Sequence, residues 1–419
     1  MLSVAERLAA RARHLAPSPI RELMPYLSLP GMISLGGGYP NPETFAFLRM
    51  DVTFRSGREI AITGARMARA AQYGPTPAHK ELGQAILKWQ QYKDGVTLTD
   101  DQLVVLNGSQ EGIFIAAYLF LDEADWIVAA EPLYPGTASA VGAFCRAIRT
   151  VSIDGDGLRI DELAALLEEA RTRGEAPPKF VYDVPSGHNP AGTTLSLQRR
   201  MQLLDLARRH DFLIIEDDPY QLVSLEGGQR LPTLQALEGN PERVIRLDSF
   251  SKIFAPGLRV GYATGSSAIM RQFVLFKQCA NLHTSMTAQE MLAAFIESHG
   301  FDGFMRLIED NCRFYRANRD AMVEAAREHL PGDVAFNVPR HGMFMWFELP
   351  TGFDADRMIR SDAEDLMVLL VPGSAFAVSR SLAHCMRASF SMVSPGEITE
   401  GMRRFATMIE RERERCSAK

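Results

Sequence analysis

Four short apolar runs, each giving way at its carboxyl end to hydrogen-bonding or titratable side chains, constrain this chain more than any other feature. QLVVL (102–106) runs into NGSQEG, KFVYDVP (179–185) into SGHNPAG, FLIIE (212–216) into DDPY, and VIRLD (244–248) into SFSK. From about residue 77 such runs alternate with helix-like stretches, the pattern of an α/β fold on a largely parallel sheet. QLVVL hands over to the apolar stretch GIFIAAYLFL, which places Ser109 and Gln110 at a helix N-terminus. In open α/β sheets ligands bind beyond the carboxyl ends of the strands, so these four ends are expected to converge on one site.

The texture changes after residue 305. A charged helical stretch (307–330) precedes short strand-like runs, VAFNVP, GMFMWFEL, MVLLVP and MRASFSM, and then the helix GEITEGMRRFATMIERERER. This reads as a second, smaller α+β domain. The first 20 or so residues read as an amphipathic arm, followed by a Gly/Pro-rich loop, GGGYPNP, at 36–42.

With 419 residues the chain exceeds a single small module, at ~150 residues per domain. Its 45 Lys+Arg against 51 Asp+Glu leave a net charge of −6, no footprint for nucleic acid or an anionic membrane. Five cysteines without CxxC spacing indicate neither a disulfide framework nor a zinc site, and the scattered histidines suggest no metal. No signal-peptide core and no apolar run near ~20 residues is present, so a cytoplasmic location is expected. Asn41 stands where a dinucleotide fingerprint needs its third glycine, and GxxxxGK[ST], HExxH and GxSxG are absent.

The chain holds seven lysines, at 80, 88, 93, 179, 252, 277 and 419, so any lysine chemistry has few candidates. Lys252 follows a strand-like run, lies between Ser251 and an apolar segment, and has Arg259 seven residues on in a Pro-Gly loop. The chemistry that uses such a set is that of pyridoxal 5'-phosphate (PLP). A lysine amine forms a Schiff base with the aldehyde. A carboxylate, here Asp217, keeps the pyridine nitrogen protonated so that the ring is an electron sink. Asn189 and Tyr220 can donate to the phenolic oxygen, and Tyr134 offers a flat face to the ring. Ser109, Gln110, Ser249, Ser251 and Arg259 supply the hydroxyls, N–H groups and guanidinium that a phosphate needs.

The stretches YGPTPAHKELGQAI, PSGHNPAGTTLS, IIEDDPYQLV, SFSKIFAPGLRVGY and MRASFS resemble those of the class I/II aminotransferases of fold type I. The closest likeness is to the subgroup of 2-aminoadipate (kynurenine) and aromatic aminotransferases, and it covers nearly the whole chain. It implies an α/β fold: a large PLP-binding domain with a mostly parallel seven-stranded sheet between helices, plus a small α+β domain. The implied division is an N-terminal arm at 1–45 belonging to the small domain, the large domain at 46–306, and the C-terminal small domain at 307–419. Lys252 would be the Schiff-base lysine and general acid/base, with Asp217 and Tyr220 beside it as catalytic residues. Tyr73 would reach the phosphate in a neighbouring subunit of a homodimer with shared active sites. Arg387 would clamp the substrate α-carboxylate with Asn189, and Gly38 and Arg21 would close over the substrate.

The expected reaction is ping-pong transfer of an amino group from an L-amino acid to a 2-oxo acid. His188 and Tyr39 depart from the residues common among relatives, so the resemblance does not carry over a substrate. β-Elimination, decarboxylation or cyclisation would reuse the same lysine and arginine. A MocR-type regulator would need a DNA-binding domain ahead of the SPIR segment at 18–21, and the acidic charge speaks against one.

Overall fold

The computed structural model describes residues 3–19, 26, 29–33, 35–36, 38–145, 147–227 and 230–418. They form two compact units, Met1–Asp122 with Glu238–Arg306, and Glu123–Leu237 with Leu307–Lys419.

The first unit is built on three fully buried strands. Gly261–Thr264 pairs antiparallel with Leu103–Leu106 on one side and Val244–Ser249 on the other. Gly261 lies opposite both Leu106 and Ser249, so the carboxyl ends of the two outer strands emerge side by side. Burial on both faces goes with the apolar run LVVL of Leu103–Leu106, whereas Val244–Ser249 carries Arg246 and Asp248, buried and paired with each other at 2.8 Å. The helix Ser109–Phe120 is equally apolar, with Ile113, Ile115, Ala116, Leu119 and Phe120 all buried, as a helix enclosed on most sides requires. An aromatic cluster of Trp89, Phe250, Tyr262, Phe295 and Phe304 fills the core. Because Phe250 is drawn into that cluster, its neighbours Ser249, Ser251 and Lys252 are left at the strand's end.

In the second unit Trp126–Glu131, Phe180–Asp183 and Leu213–Asp217 run parallel, with Ala147–Asp154 parallel on the other side of Trp126–Glu131. The two-residue strand Gly157–Leu158 closes that edge antiparallel. The unit also carries a four-stranded antiparallel sheet of Ala335–Phe336, Phe344–Glu348, Cys385–Ser389 and Val371–Pro372, in that order. Against it pack the helices Ala355–Leu366 and Pro395–Ser417, around a core of Met345, Phe347, Met386, Phe390, Phe405 and Met408.

The class is α/β, as expected. Three strands and five stand against the seven anticipated, the addition being the short Gly157–Leu158. All four strands read from the sequence are present, and each begins or ends within two residues of its expected bounds. The charged helix is longer than read: it spans Met286–His329 and is broken at Gly300, where φ is 65° and ψ is 176°. Charge is dense only from about residue 307, whereas the buried positions Leu292, Phe295, Ile296, Phe304 and Ile308 carry the helical pattern from further upstream. Among the described residues no helix is long and apolar enough to cross a membrane.

Candidate active site

Two of the four polar strand ends emerge together in each unit. In the first, the strand Leu103–Leu106 reaches the helix Ser109–Phe120 through Asn107 and Gly108. Gly108 has φ 83° and ψ 166°, a conformation open essentially to glycine alone. A Cβ there would lie 2.6 Å from Arg259 Nη2, so the absent side chain also makes room for the guanidinium. Arg259 Nη2 donates to the Asn107 carbonyl at 3.1 Å, which ties the arginine to the loop at the helix N-terminus. Beside it, the Ser249 hydroxyl accepts the Ser251 N–H at 3.1 Å, and Lys252 follows in the turn, half-buried. Backbone N–H groups at a helix start, hydroxyls and a guanidinium are the donor set for a phosphate monoester.

In the second unit the residues at and past the carboxyl ends of the parallel strands are enclosed. Asp183, His188, Asn189, Asp217, Asp218 and Tyr220 are all buried. The Tyr182 phenol donates to Asp217 Oδ2 at 2.8 Å, fixing the carboxylate. Burial, with the negative Asp217 beside them, pushes the Tyr182 and Tyr220 phenols up, so both remain protonated donors. Gly192, at φ 67°, brings the 188–193 turn against the strand Phe344–Glu348: a Cβ there would lie 2.7 Å from the Phe344 carbonyl oxygen. That approach sets Asn189 beside Arg387, whose Nη1 donates to Asn189 Oδ1 at 2.9 Å. The Arg387 guanidinium lies over the rings of Phe344 (4.3 Å) and Phe376 (5.0 Å). Its Nε is buried with no hydrogen-bond partner among the described residues, and burial lowers its pKa. A half-buried guanidinium with a buried, unused N–H is suited to a planar anion.

Thus Ser109, Gln110, Ser249, Ser251, Lys252 and Arg259 belong to the first unit, and Tyr134, Asn189, Asp217, Tyr220 and Arg387 to the second. Tyr134 caps the helix Pro135–Gly142. Tyr73 is exposed, with its ring 6.2 Å from Tyr39 and 6.1 Å from His283. Gly38 is exposed in open space, and Arg21 lies outside the described residues.

Two contributors were not read from the sequence. Tyr182 sits inside an apolar strand, where only the adjacent Asp183 hints at a polar function. Glu131 ends the strand Trp126–Glu131, a fifth apolar run with the same polar ending. Its carboxylate accepts the N–H groups of Val378, Ser379 and Arg380 and the hydroxyls of Ser379 and Thr150. Leu133 N–H meets the Phe376 carbonyl at 2.8 Å, so this clamp holds the segment whose Phe376 covers Arg387.

The donor types present are ones PLP uses: hydroxyls, helix-start N–H groups and a guanidinium in the first unit, and a carboxylate, phenols, an amide and a guanidinium in the second. The family model "Aminotransferase class I and II" matches residues 49–405. The chain is 34% identical to the mitochondrial kynurenine/alpha-aminoadipate aminotransferase of Bos taurus, over 98% of this chain and 99% of that one. Among solved structures it is similar to the Pyrococcus horikoshii kynurenine aminotransferase in complex with PMP, at a TM-score of 0.79 and 31% identity, covering 98% of both chains. It is also similar to the Thermus thermophilus alpha-aminoadipate aminotransferase complexed with N-(5'-phosphopyridoxyl)-L-leucine, at a TM-score of 0.76 and 29% identity, covering 99% of this chain and 100% of that one. The chain belongs to the class I and II aminotransferases and is a PLP-dependent transaminase.

Proposed function

We propose that this transaminase acts on L-amino acids whose α-carboxylate is held by Arg387, with Lys252 as the proton-transferring amine. The carrying observation is Arg387 itself, half-buried, its guanidinium over the rings of Phe344 and Phe376 and its buried Nε unpartnered among the described residues. The cofactor, when bound, supplies an aldehyde for amine capture and a ring that accepts the electron pair left at Cα.

Each residue has one task in this reading. Lys252 would join the cofactor's aldehyde and, as a free amine, would carry the proton from the substrate Cα to the former aldehyde carbon. Asp217, oriented by Tyr182, keeps the ring nitrogen protonated. Tyr220 and Asn189 donate to the phenolic oxygen, and Tyr134 covers the ring. Ser109, Gln110, Ser249, Ser251 and Arg259 hold the phosphate, and Tyr73 does so across a homodimer. Gly38 and Arg21 close over the substrate. A division into an arm (1–45), a cofactor domain (46–306) and a C-terminal domain (307–419), and a cytoplasmic location, belong to the same proposal.

Relatives named for kynurenine and alpha-aminoadipate support a reading in which aromatic-type and long acidic side chains are the first donors to test. A half-transamination screen of full-length enzyme against a panel of amino acids tests this, read as conversion of the cofactor to its amine form. Lys252→Ala is expected to lose at least ~10³-fold in that half-reaction while still binding PLP. Near-normal conversion by the variant would sink the assignment.

A further inference from the structure

Lys277 is the most deeply buried lysine among the described residues, at 0% exposure, and the proposed reaction does not use it. Its Nζ lies 3.0 and 2.8 Å from the two carboxylate oxygens of Glu111 and 3.3 Å from the Thr284 hydroxyl. Thr284 in turn donates to the Val105 carbonyl at 3.2 Å, inside the strand that leads to the anion loop. Asn281 Nδ2 donates to the same carboxylate.

Glu111 is the third residue of the helix Ser109–Phe120, and its Oε2 accepts the Asn107 N–H at 2.6 Å. Asn107 is therefore gripped from both sides, its N–H by Glu111 and its carbonyl by Arg259 at 3.1 Å. A neutral glutamine could accept the same N–H. What the carboxylate adds is a negative charge behind a loop whose neighbouring N–H groups are suited to a dianion. In a partly desolvated setting that charge repels a phosphate, and Lys277 offsets it. Burial lowers the Lys277 pKa while Glu111 holds it up, so the ammonium depends on its partner.

We propose that the Glu111–Lys277 pair is a positioning element for phosphate: Glu111 pins the 107–110 loop, and Lys277 cancels the charge that would weaken phosphate binding there. This rests on the reading that the loop takes the phosphate of PLP. The prediction is specific to the phosphate group, which separates it from a role in stability alone.

The test uses full-length protein freed of cofactor, as wild type, K277M, E111Q and the double variant. Each is titrated with PLP and with pyridoxal, which lacks the phosphate, following absorbance, and each is melted without ligand. K277M should weaken PLP binding by roughly tenfold to a hundredfold, through the uncompensated carboxylate, and change pyridoxal binding less than about twofold. The double variant should recover most of the loss. Equal loss for both ligands, or no recovery in the double variant, would overturn the proposal. If K277M does not fold, E111Q decides: PLP binding at least as tight as wild type supports the proposal, and a tenfold loss for both ligands overturns it. A wild type that binds PLP no better than pyridoxal would overturn the phosphate reading itself, a result distinct from the others.

Discussion

The polar strand ends of the two units solve different problems. In the first, the loop groups are set by the main chain: Gly108 opens the turn, Asn107 is tied through both backbone groups, and Ser249 caps Ser251. Except for the buried Ser249, the site side chains there stay in reach of water, with Arg259 exposed and Lys252 half-buried. In the second, Asp183, His188, Asn189, Asp217 and Tyr220 are each less than a tenth exposed. An anion can be held by fixed N–H dipoles that remain wet. Setting a protonation state takes desolvation, which shifts pKa values that solvent would leave alone.

The largest effect expected from breaking this contrast is at Arg387. Arg387→Gln keeps a polar side chain near Asn189 but removes the charge and the fork, and should lower kcat/KM for amino acids by about 10²–10³-fold. The loss should fall on both half-reactions, since amino acid and 2-oxo acid share the carboxylate. Initial rates with each substrate measure it, and the absorbance of the bound cofactor should not move. A loss confined to one half-reaction would show that the guanidinium serves a side chain instead.

Next in size is a pH effect confined to the enclosed half. Burial, aided by the neighbouring Asp218 and Glu216 and opposed by Arg200, raises the Asp183 pKa to about 7. Burial lowers that of His188 to about 3. Asp183 is raised above its unfolded value, so between about pH 4 and 7 only the unfolded chain ionises, and stability falls as pH rises. His188 is depressed, so its contribution is complete above about pH 6.5 and is lost as pH falls toward 3. In the shared window the two slopes oppose each other. Asp183→Asn should leave stability rising with pH from about 4.5 to 6.5, and His188→Asn should leave it falling. Each difference from wild type should amount to a few kcal/mol, with about 4 kcal/mol as the ceiling for a shift of three units. Urea midpoints at several pH values read this directly, and parallel profiles for all three proteins would refute it.

The same contrast explains what the sequence disclosed. Strand ends were legible because apolar runs stop abruptly at residues such as Asn107, Asp217 and Ser249, and a resemblance in motif then attached chemistry to Lys252 and Arg387. Tyr182 was hidden because its hydrogen bond to Asp217 crosses to the neighbouring strand, 35 positions on. The Glu131 clamp joins residues 247 to 249 positions apart, a separation no local pattern encodes. Lys277 illustrates the opposite hazard. A count of seven lysines makes it a candidate, and burial depresses its pKa, yet Glu111 occupies its amine at 2.8 Å. Lys252 differs in being half-buried at the end of a strand, in a turn.

The smallest of these effects tests the open half. Gly108→Ala places a methyl 2.6 Å from Arg259 Nη2, a clash the flexible guanidinium can escape only by giving up the Asn107 carbonyl. The backbone cannot escape, because φ 83° with ψ 166° costs an alanine about 1–3 kcal/mol. Part of that strain appears as lower stability and part as relaxation of the loop. PLP affinity is therefore expected to drop about tenfold, with pyridoxal affinity little changed and the Asp183 and His188 pH slopes untouched. If Gly108→Ala altered those slopes, the two halves would not be energetically separate, and the contrast between a wet, backbone-built cradle and a dry, titration-controlled one would fail. If PLP binding were unchanged, the 107–110 loop would have enough freedom to rebuild its N–H array around alanine, and the rigidity ascribed to the doubly held Asn107 would be wrong.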